Sequence, residues 1–279
     1  MPPRERLPAL TERLAPQPCE IETHLAEGEL TMLGAHPEAS NLAIVCEVEH
    51  DGGTLTAIYK PVQGERPLWD YPDGHLAHRE RAAYLVARLG GFDCVPATVL
   101  RAGPLGEGSV QRWVGTLDEP ADSPVAVTRP GQIPPGYLRV LSGEDERGTG
   151  VVLSHPDDPV LRSLSVLDAV INNSDRKGSH VLLEGDGVYG IDNGVSLSVE
   201  PKLRTVLWGW AGDPLTDADR ARVERLVEAI AGSPEAGELD ELLTVTEVDA
   251  LVARCERLLR AGRHPRPGHG WPSVPWPPV

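Results

Sequence analysis

The chain has 279 residues, of which 42 are acidic and 26 are Lys or Arg, and its formal net charge is −16. A chain of this length can bury a sizeable core, either as one large domain or as a bilobal one. Nucleic acids and anionic membranes bind basic surfaces, so the charge argues against both as partners. No apolar run approaches the roughly 20 residues that a membrane-spanning helix needs.

The cysteines and the N-terminus indicate a cytoplasmic protein. Four cysteines are scattered along the chain without a C-x-x-C pair: Cys19, Cys46, Cys94 and Cys255. This pattern predicts reduced thiols and argues against a structural zinc site. The first residues, MPPRERLPALTERLAPQP, lack the apolar segment of a signal peptide, and we predict a loosely packed lead-in over residues 1–19.

Three antiparallel strands are predicted after this lead-in. Residues 28–34, 42–49 and 55–61 are rich in apolar and β-branched side chains. A polar turn over residues 35–41 joins the first two strands. The second and third are joined by residues 50–53, which contain the Asp-Gly pair of a tight hairpin turn.

A strong helix follows a loop rich in Pro and Gly. Residues 76–89 repeat apolar side chains at helical spacing, and the Gly90-Gly91 pair ends the helix. Glu80 lies in the middle of this helix, 20 residues after Lys60, which ends the third strand. Two further strands are predicted at residues 95–100 and 108–114.

The next segment carries the weakest pattern. Residues 115–158 are rich in Pro, Gly and acidic side chains, and we predict a linker plus an additional element near a cleft mouth, with a short strand at 150–153. A substrate-selecting role is a hypothesis for this segment.

The C-terminal part is predicted to be helical. Amphipathic helices are expected at residues 218–231 and 246–259, the second with Thr246 and Asp249 as a capping-box variant. The last residues contain too many prolines for a helix. Trp271 and Trp276 are expected to pack against the helices.

The stretch Leu167–Gly194 carries the strongest functional signal. An apolar helix ends at the turn-forming residues Asn172, Asn173 and Ser174, and the polar loop 175–180, DRKGSH, follows. A β-hairpin is then predicted over residues 181–191, and it leads to Asp192-Asn193-Gly194. The hairpin can therefore bring Asp175 and Asp192 close together.

Phosphoryl transfer from ATP uses such a pair of carboxylates. One Asp orients the acceptor hydroxyl, a second Asp holds the metal, and a strand lysine pairs with a helix glutamate. A solvated turn at Asp175 and an ordinary hairpin turn at Asp192 are the alternative interpretations of each motif by itself. The combination favours a site, because Lys60 and Lys177 are two of only three lysines in a chain that otherwise uses arginine.

This loop resembles that of the protein-kinase-like superfamily, and most of all the DRH-type loop of phosphatidylinositol 3-/4-kinases and HipA-type kinases. Over residues 20–215 the chain looks like an actinobacterial family related to the phosphatidylinositol 3-/4-kinase catalytic domain. The resemblance implies an α+β, bilobal protein-kinase-like fold. It implies a β-rich N-lobe over residues 20–114, a helical C-lobe over residues 115–279, and a cleft for ATP and Mg²⁺ between them.

The resemblance also implies roles for single residues. Asp175 would act as the base and Lys177 would neutralise the transferred phosphate. Lys60 would hold the α/β-phosphates with Glu80, and Asp192 would hold Mg²⁺. Ser40 and Asn41 would contact the phosphates. Trp113 and Val114 would form the hinge that binds adenine. Trp113 is equally well explained as a plain core residue.

Three departures from the family pattern stand out. Residues 35–41 lack a G-x-G-x-x-G pattern, and Asn193 replaces the usual aromatic residue after the metal-binding Asp. His180 occupies the position of the second metal ligand, and imidazole is a poorer ligand for Mg²⁺ than a carbonyl or carboxylate oxygen. This departure puts a second metal in doubt or suggests tolerance of Mn²⁺.

Three function classes stay open. The first is a phosphotransferase acting on a hydroxyl of a small molecule or a protein. The second is another ATP-using enzyme on the same fold, such as an AMP transferase. The third is a nucleotide-binding pseudokinase, which His180 favours, whereas Asp175, Lys177 and Lys60 favour the first.

Overall fold

The structure is a computed structural model, and it describes residues 18–37, 39–145, 147–268 and 272–279. Most of the expected lead-in and Trp271 therefore lie outside the described residues. The predicted α+β class is confirmed: an antiparallel sheet forms the N-terminal half, and helices dominate the C-terminal half. This arrangement is consistent with a bilobal, kinase-like fold. Among the described residues, every helix is too short or too polar to cross a bilayer.

The N-terminal half contains a five-stranded antiparallel sheet. Its strands are β1 (Glu29–Ala35), β2 (Ile44–His50), β3 (Gly53–Pro61), β4 (Thr98–Gly103) and β5 (Gly106–Arg112), in the spatial order β1-β2-β3-β5-β4. Between β2 and β3, Asp51 and Gly52 have φ values of 47° and 75°, as a type I′ hairpin turn requires. Lys60 consequently lies near the end of β3, the middle strand, paired with Ser109 of β5.

Two helices pack near this sheet. Helix α2 (Leu76–Gly90) is buried along most of its length, and it ends where Gly91 adopts φ 75°. A short helix α1 (Pro18–Glu27) precedes β1. It was not predicted, because its apolar residues are too few to give a clear helical period.

Residues 115–158 contain more regular structure than the predicted linker with an additional element, although the strand predicted at 150–153 is present. They include a second antiparallel sheet of three strands, β6 (Ala126–Thr128), β7 (Tyr137–Glu144) and β8 (Gly150–Pro156), in the order β6-β8-β7. One face of β7 is largely exposed, so its sequence lacks the alternation of a half-buried strand. Pairing with β8 across a turn supplies the hydrogen bonds that define the strand.

The C-terminal half is organised around the buried helix α3 (Pro159–Ile171). Asp158 caps it by accepting hydrogen bonds from the N–H groups of Val160 and Leu161. The hairpin of β9 (Val181–Glu184) and β10 (Gly187–Gly190) follows, as predicted. Three helices complete this half: α4 (Asp217–Gly232), α5 (Gly237–Leu242) and α6 (Val245–Ala261).

Two C-terminal expectations are wrong. The capping box of α6 is formed by Thr244 and Glu247, not by Thr246 and Asp249, because the helix begins one residue earlier than predicted. Trp276 is 82% exposed instead of packed. The tail packs through other groups: Ser273 accepts hydrogen bonds from the Thr205 N–H and the Trp208 indole, and Pro275 is buried.

Candidate active site

Three charged side chains meet where the N-terminal sheet faces the hairpin. The Lys60 ammonium donates hydrogen bonds to the Glu80 carboxylate and, at 2.8 Å, to Asp192 Oδ1. These residues come from β3, from α2 and from the turn after β10. The ion pair expected between Lys60 and Glu80 is present, and the structure adds the direct contact between Lys60 and Asp192.

Glu80 also fixes the segment that carries Asp192. Its second carboxylate oxygen accepts a hydrogen bond of 2.9 Å from the Asn193 backbone N–H. A Cβ atom added to Gly194 would lie 3.2 Å from the Leu76 carbonyl oxygen, so this segment packs directly against the start of α2. Asp192 itself has φ 56°, a left-handed conformation that is uncommon outside glycine and typical of functional positions.

The charges of this cluster stabilise one another. The Lys60 ammonium lowers the pKa of Asp192 well below its usual range, against the opposing effect of burial. Burial by itself would lower the pKa of Lys60, but the carboxylates of Asp192 and Glu80 outweigh it and raise that pKa. Lys60 and Asp192 are therefore both charged at neutral pH. The Asp192 side chain is still 48% exposed, so its carboxylate can reach a ligand in the cleft.

The loop between α3 and β9 presents two partly exposed charges. Lys177 Nζ lies 3.2 Å from Asp175 Oδ2, and both side chains are partly open to solvent. A hydrogen bond within the loop fixes its conformation: the Asp175 N–H donates to Asn173 Oδ1 at 2.9 Å. Asp175 and Lys177 are therefore adjacent and accessible, as the sequence predicts for a carboxylate and a cation at a transfer site.

His180 joins this loop to Asp192. Its Nδ1–H donates to the Asp175 carbonyl oxygen at 2.9 Å, and its Nε2 lies 3.3 Å from Asp192 Oδ2. Burial lowers the pKa of His180, which favours the neutral ring. A neutral ring in this tautomer turns the Nε2 lone pair towards a carboxylate oxygen. Two facing acceptors need a proton or a cation between them.

The donor set fits a metal bound together with a nucleotide, not a free ion. Within the described ranges, no group of three or more His, Cys, Asp or Glu side chains is arranged to hold a metal. Metal–nucleotide sites commonly use only one or two protein ligands plus phosphate oxygens and water. In such a site Asp192 would supply the carboxylate and His180 a ring nitrogen, which Mg²⁺ binds less readily than oxygen.

A buried ion pair beneath the loop was missed by the sequence analysis. The guanidinium of Arg176 contacts the carboxylate of Asp168 at 3.0 Å, and both side chains are fully buried. Arg176 also donates to Asn193 Oδ1 at 2.6 Å and to the Ile191 carbonyl oxygen at 2.6 Å. It thereby connects α3 to the residues on either side of Asp192. An acidic residue inside the apolar helix α3 was the available signal.

The remaining predicted residues are placed less directly. Ser40 is exposed, and Asn41 Oδ1 accepts a hydrogen bond from the Arg66 N–H. The Trp113 N–H donates to the Thr56 carbonyl oxygen, and its indole N–H is buried without a partner. Val114 is buried. The described contacts do not link these four residues to Lys60 or Asp192, and their roles stay predictions.

Together, these features define an α+β protein with an accessible, charge-paired site between a β-sheet and a helical half. No protein-family model matches the chain. It is 47% identical over 261 residues to Protein Rv2133c of Mycobacterium tuberculosis (strain ATCC 25618 / H37Rv). The matched region covers 91% of this chain and 93% of Protein Rv2133c. The chain belongs to the same family as Protein Rv2133c.

The chain is also similar to solved structures. One of them is the crystal structure of a Helicobacter pylori proinflammatory kinase, CtkA, which matches 84% of this chain and 97% of its own. The sequence identity is 11% and the TM-score is 0.38. A TM-score of this size supports no conclusion about activity.

Proposed function

We propose that this protein is an atypical kinase-like phosphotransferase of the cytoplasm, related to the phosphatidylinositol 3-/4-kinase catalytic domain. It would use ATP and a divalent metal to modify a hydroxyl of a small-molecule or protein acceptor. One observation carries the proposal: Lys60 contacts both Glu80 and Asp192. In kinases the lysine–glutamate pair and the metal-binding Asp must both be in place for activity.

The remaining residues fit the chemistry of such a transfer. Asp175 accepts the proton of the acceptor hydroxyl, whose oxygen forms a bond to the γ-phosphorus while the bond to the β,γ-bridging oxygen breaks and ADP leaves. Lys177, 3.2 Å from Asp175, offsets charge on the transferred group. Lys60 binds the phosphates. A divalent metal held by Asp192 and His180 would neutralise phosphate charge when bound with the nucleotide.

Thermal unfolding tests the nucleotide site without knowledge of the acceptor. A ligand at about 100 times its Kd adds about 2.7 kcal/mol to the free energy of unfolding. We expect ATP with Mg²⁺ or Mn²⁺ to raise the melting temperature by several degrees, and Asp192→Asn to abolish the metal-dependent part. Asp186→Asn, in the exposed turn of the same hairpin, is the matched control. No shift with any nucleotide and metal would remove ATP from the proposal.

Turnover is a separate measurement. Transfer of radiolabelled γ-phosphate to an acceptor, or hydrolysis of ATP, should be lost in Asp175→Asn while ATP still stabilises the fold. The mass of the product separates phosphate transfer from AMP transfer. Retained turnover in Asp175→Asn would contradict the role of Asp175.

A nucleotide-binding pseudokinase is the second candidate, and the contact between His180 and Asp192 favours it. A ring nitrogen at this position is a poor ligand for Mg²⁺. His180→Asn would supply an oxygen ligand instead. If His180 makes the wild type an inactive pseudokinase, the His180→Asn variant should gain measurable turnover with Mg²⁺. If the wild type already turns over, Asn should change its relative preference for Mg²⁺ and Mn²⁺.

A further inference from the structure

A short extended stretch lies directly beside the loop that carries Asp175. The Arg204 N–H donates to the Asn173 carbonyl oxygen at 2.9 Å, and the Arg204 carbonyl oxygen accepts from the Arg176 N–H at 3.1 Å. A parallel bridge between Arg176 and Thr205 continues this pairing. The backbone of Arg204 is thus fixed to residues on both sides of Asp175.

The side chain of Arg204 lies on the opposite side of this stretch from its neighbours. Leu203 and Thr205 line a small cavity that also includes His264. Successive side chains of an extended chain point to opposite sides, so Arg204 projects away from this cavity. Lys202 lies on the same side as Arg204, and it reaches Asp70 in the loop between β3 and α2.

Arg204 has no protein partner for its charge among the described residues. Its Nε is buried without a hydrogen-bond partner, and no described carboxylate or carbonyl accepts from its guanidinium. The buried Arg79 and Arg176 each donate to several oxygens. Arg254 also has a nitrogen without a partner, Nη2, but its Nε and Nη1 donate to carbonyl oxygens, whereas no described group accepts from the Arg204 guanidinium. An unsatisfied buried donor costs stability. The chain has 42 acidic residues that could pair with an arginine, so the lack of a described partner for Arg204 suggests that its partner is a ligand.

We infer that Arg204 binds an anionic group, a phosphate or a carboxylate, on the acceptor molecule. The planar guanidinium matches both anions through paired N–H groups. Pairing the guanidinium with such an anion would hold an acceptor hydroxyl beside Asp175, so Arg204 would determine acceptor specificity. This inference depends on the proposed function, because it assigns the acceptor class of the same site.

Three matched probes test it: glycerol, glycerate and glycerol 3-phosphate share a hydroxyl-bearing backbone and differ in the anionic group. Each is titrated into the full ¹⁵N-labelled chain with ADP and Mg²⁺ present, so that the probe does not simply fill the nucleotide site. The readout is the Nε–H resonance of Arg204, assigned by its disappearance in Arg204→Lys. We expect glycerate, glycerol 3-phosphate or both to move this resonance saturably, and glycerol to leave it unchanged.

Two variants complete the test. Because neither Arg204 variant keeps the Nε–H resonance, their affinities are measured by titration calorimetry under the same conditions. Arg204→Gln should weaken binding of the anionic probe at least tenfold, whereas Arg260→Gln, at an exposed position near the end of α6, should not. Arg204→Lys keeps the charge without the planar fork and should bind with intermediate affinity, which keeps the test usable if Arg204→Gln does not fold. The inference is overturned if neither anionic probe moves the resonance, or if Arg204→Gln binds as tightly as the wild type.

The nucleotide site is checked on the same samples. Stabilisation by ATP depends on Lys60 and Asp192, and Arg204→Gln should leave it intact. Absence of ATP stabilisation in the wild type would contradict the proposed function, whatever Arg204 does. Normal ATP stabilisation without anion binding would contradict only the role of Arg204.

Discussion

At the scale of single residues, the buried pair of Arg176 and Asp168 fixes the backbone on either side of Asp192. Burial raises the pKa of Asp168, and the adjacent guanidinium of Arg176 opposes this rise. Thr205 Oγ1 also donates to the Asp168 carboxylate at 3.0 Å. Because Arg176 also holds Asn193, this pair couples the helix α3 to the Asp192 turn.

Removing one member of this pair should destabilise the fold strongly. Arg176→Met leaves the Asp168 carboxylate buried without its cation, which costs about 3–5 kcal/mol in comparable pairs. Chemical denaturation measures the loss. The double variant Asp168→Leu/Arg176→Met should recover part of it, since no buried charge remains. Equal destabilisation in the single and double variants would show that the loss comes from packing.

A second residue-scale prediction concerns acid sensitivity. Burial, and then the Arg162 guanidinium, lower the pKa of His264 to about 4. The ordinary histidine pKa is about 6.5, so between these values the unfolded chain binds more protons than the folded chain. Stability is therefore full above about pH 6.5 and falls as the pH drops towards 4.

Measured by urea denaturation across this range, His264 should contribute a loss of about 3 kcal/mol. His264→Gln should flatten the pH dependence. It should not abolish it, because burial also lowers the pKa of His155, which acts in the same direction. An unchanged slope in His264→Gln would contradict the prediction.

At the scale of elements, the start of α6 allows a matched comparison. Thr244 and Glu247 form the capping box, and Thr246, two residues after Thr244, is exposed. Thr244→Ala should lower the free energy of unfolding by about 1 kcal/mol, because the Thr244 hydroxyl donates to the Glu247 carboxylate that also accepts from the Thr244 N–H. Thr246→Ala should change it by less than about 0.5 kcal/mol. Thermal denaturation of both variants decides which residue caps the helix.

The loop between β3 and α2 joins the two halves of the molecule around the site. Tyr71 Oη lies 2.8 Å from Ser174 Oγ, next to Asp175. Lys202 Nζ contacts Asp70 at 3.1 Å, and Arg79 donates to the Ser196 carbonyl oxygen at 3.0 Å. The position of α2, and with it Glu80, is therefore set from the C-terminal half as well as from the sheet.

At the scale of the whole molecule, the tail is part of the structure around the Asp175 loop. The Gly178 N–H donates to the Pro278 carbonyl oxygen at 2.7 Å, and Ser273 accepts from Thr205 and Trp208. Each such hydrogen bond contributes about 1 kcal/mol.

Deleting residues 273–279 should therefore lower the free energy of unfolding by about 2–4 kcal/mol, as measured by denaturant titration. Trp276→Ala is the control and should have little effect, since this side chain is 82% exposed. A deletion that leaves stability unchanged would show that the tail contacts contribute nothing.

The sequence by itself determined the parts that depend on local pattern. The strands around Asp51-Gly52 and the helix that carries Glu80 follow from turn chemistry and side-chain periodicity. The α+β class and the meaning of the order of Lys60, Glu80 and Asp175 came from the resemblance to the protein-kinase-like superfamily, with which the predicted elements agree.

Only the tertiary structure decided what depends on partners distant in the chain. The choice of Arg176 as the partner of Asp168 and the contact of His180 with Asp192 cannot be inferred from the local sequence. The same holds for Arg204, whose Nε–H has no partner among the described residues. A polar side chain reads the same in a sequence whether it is solvated or buried. Burial determines how strongly a hydrogen-bond partner affects stability, because an unpaired polar group costs far more free energy in the protein interior than in water.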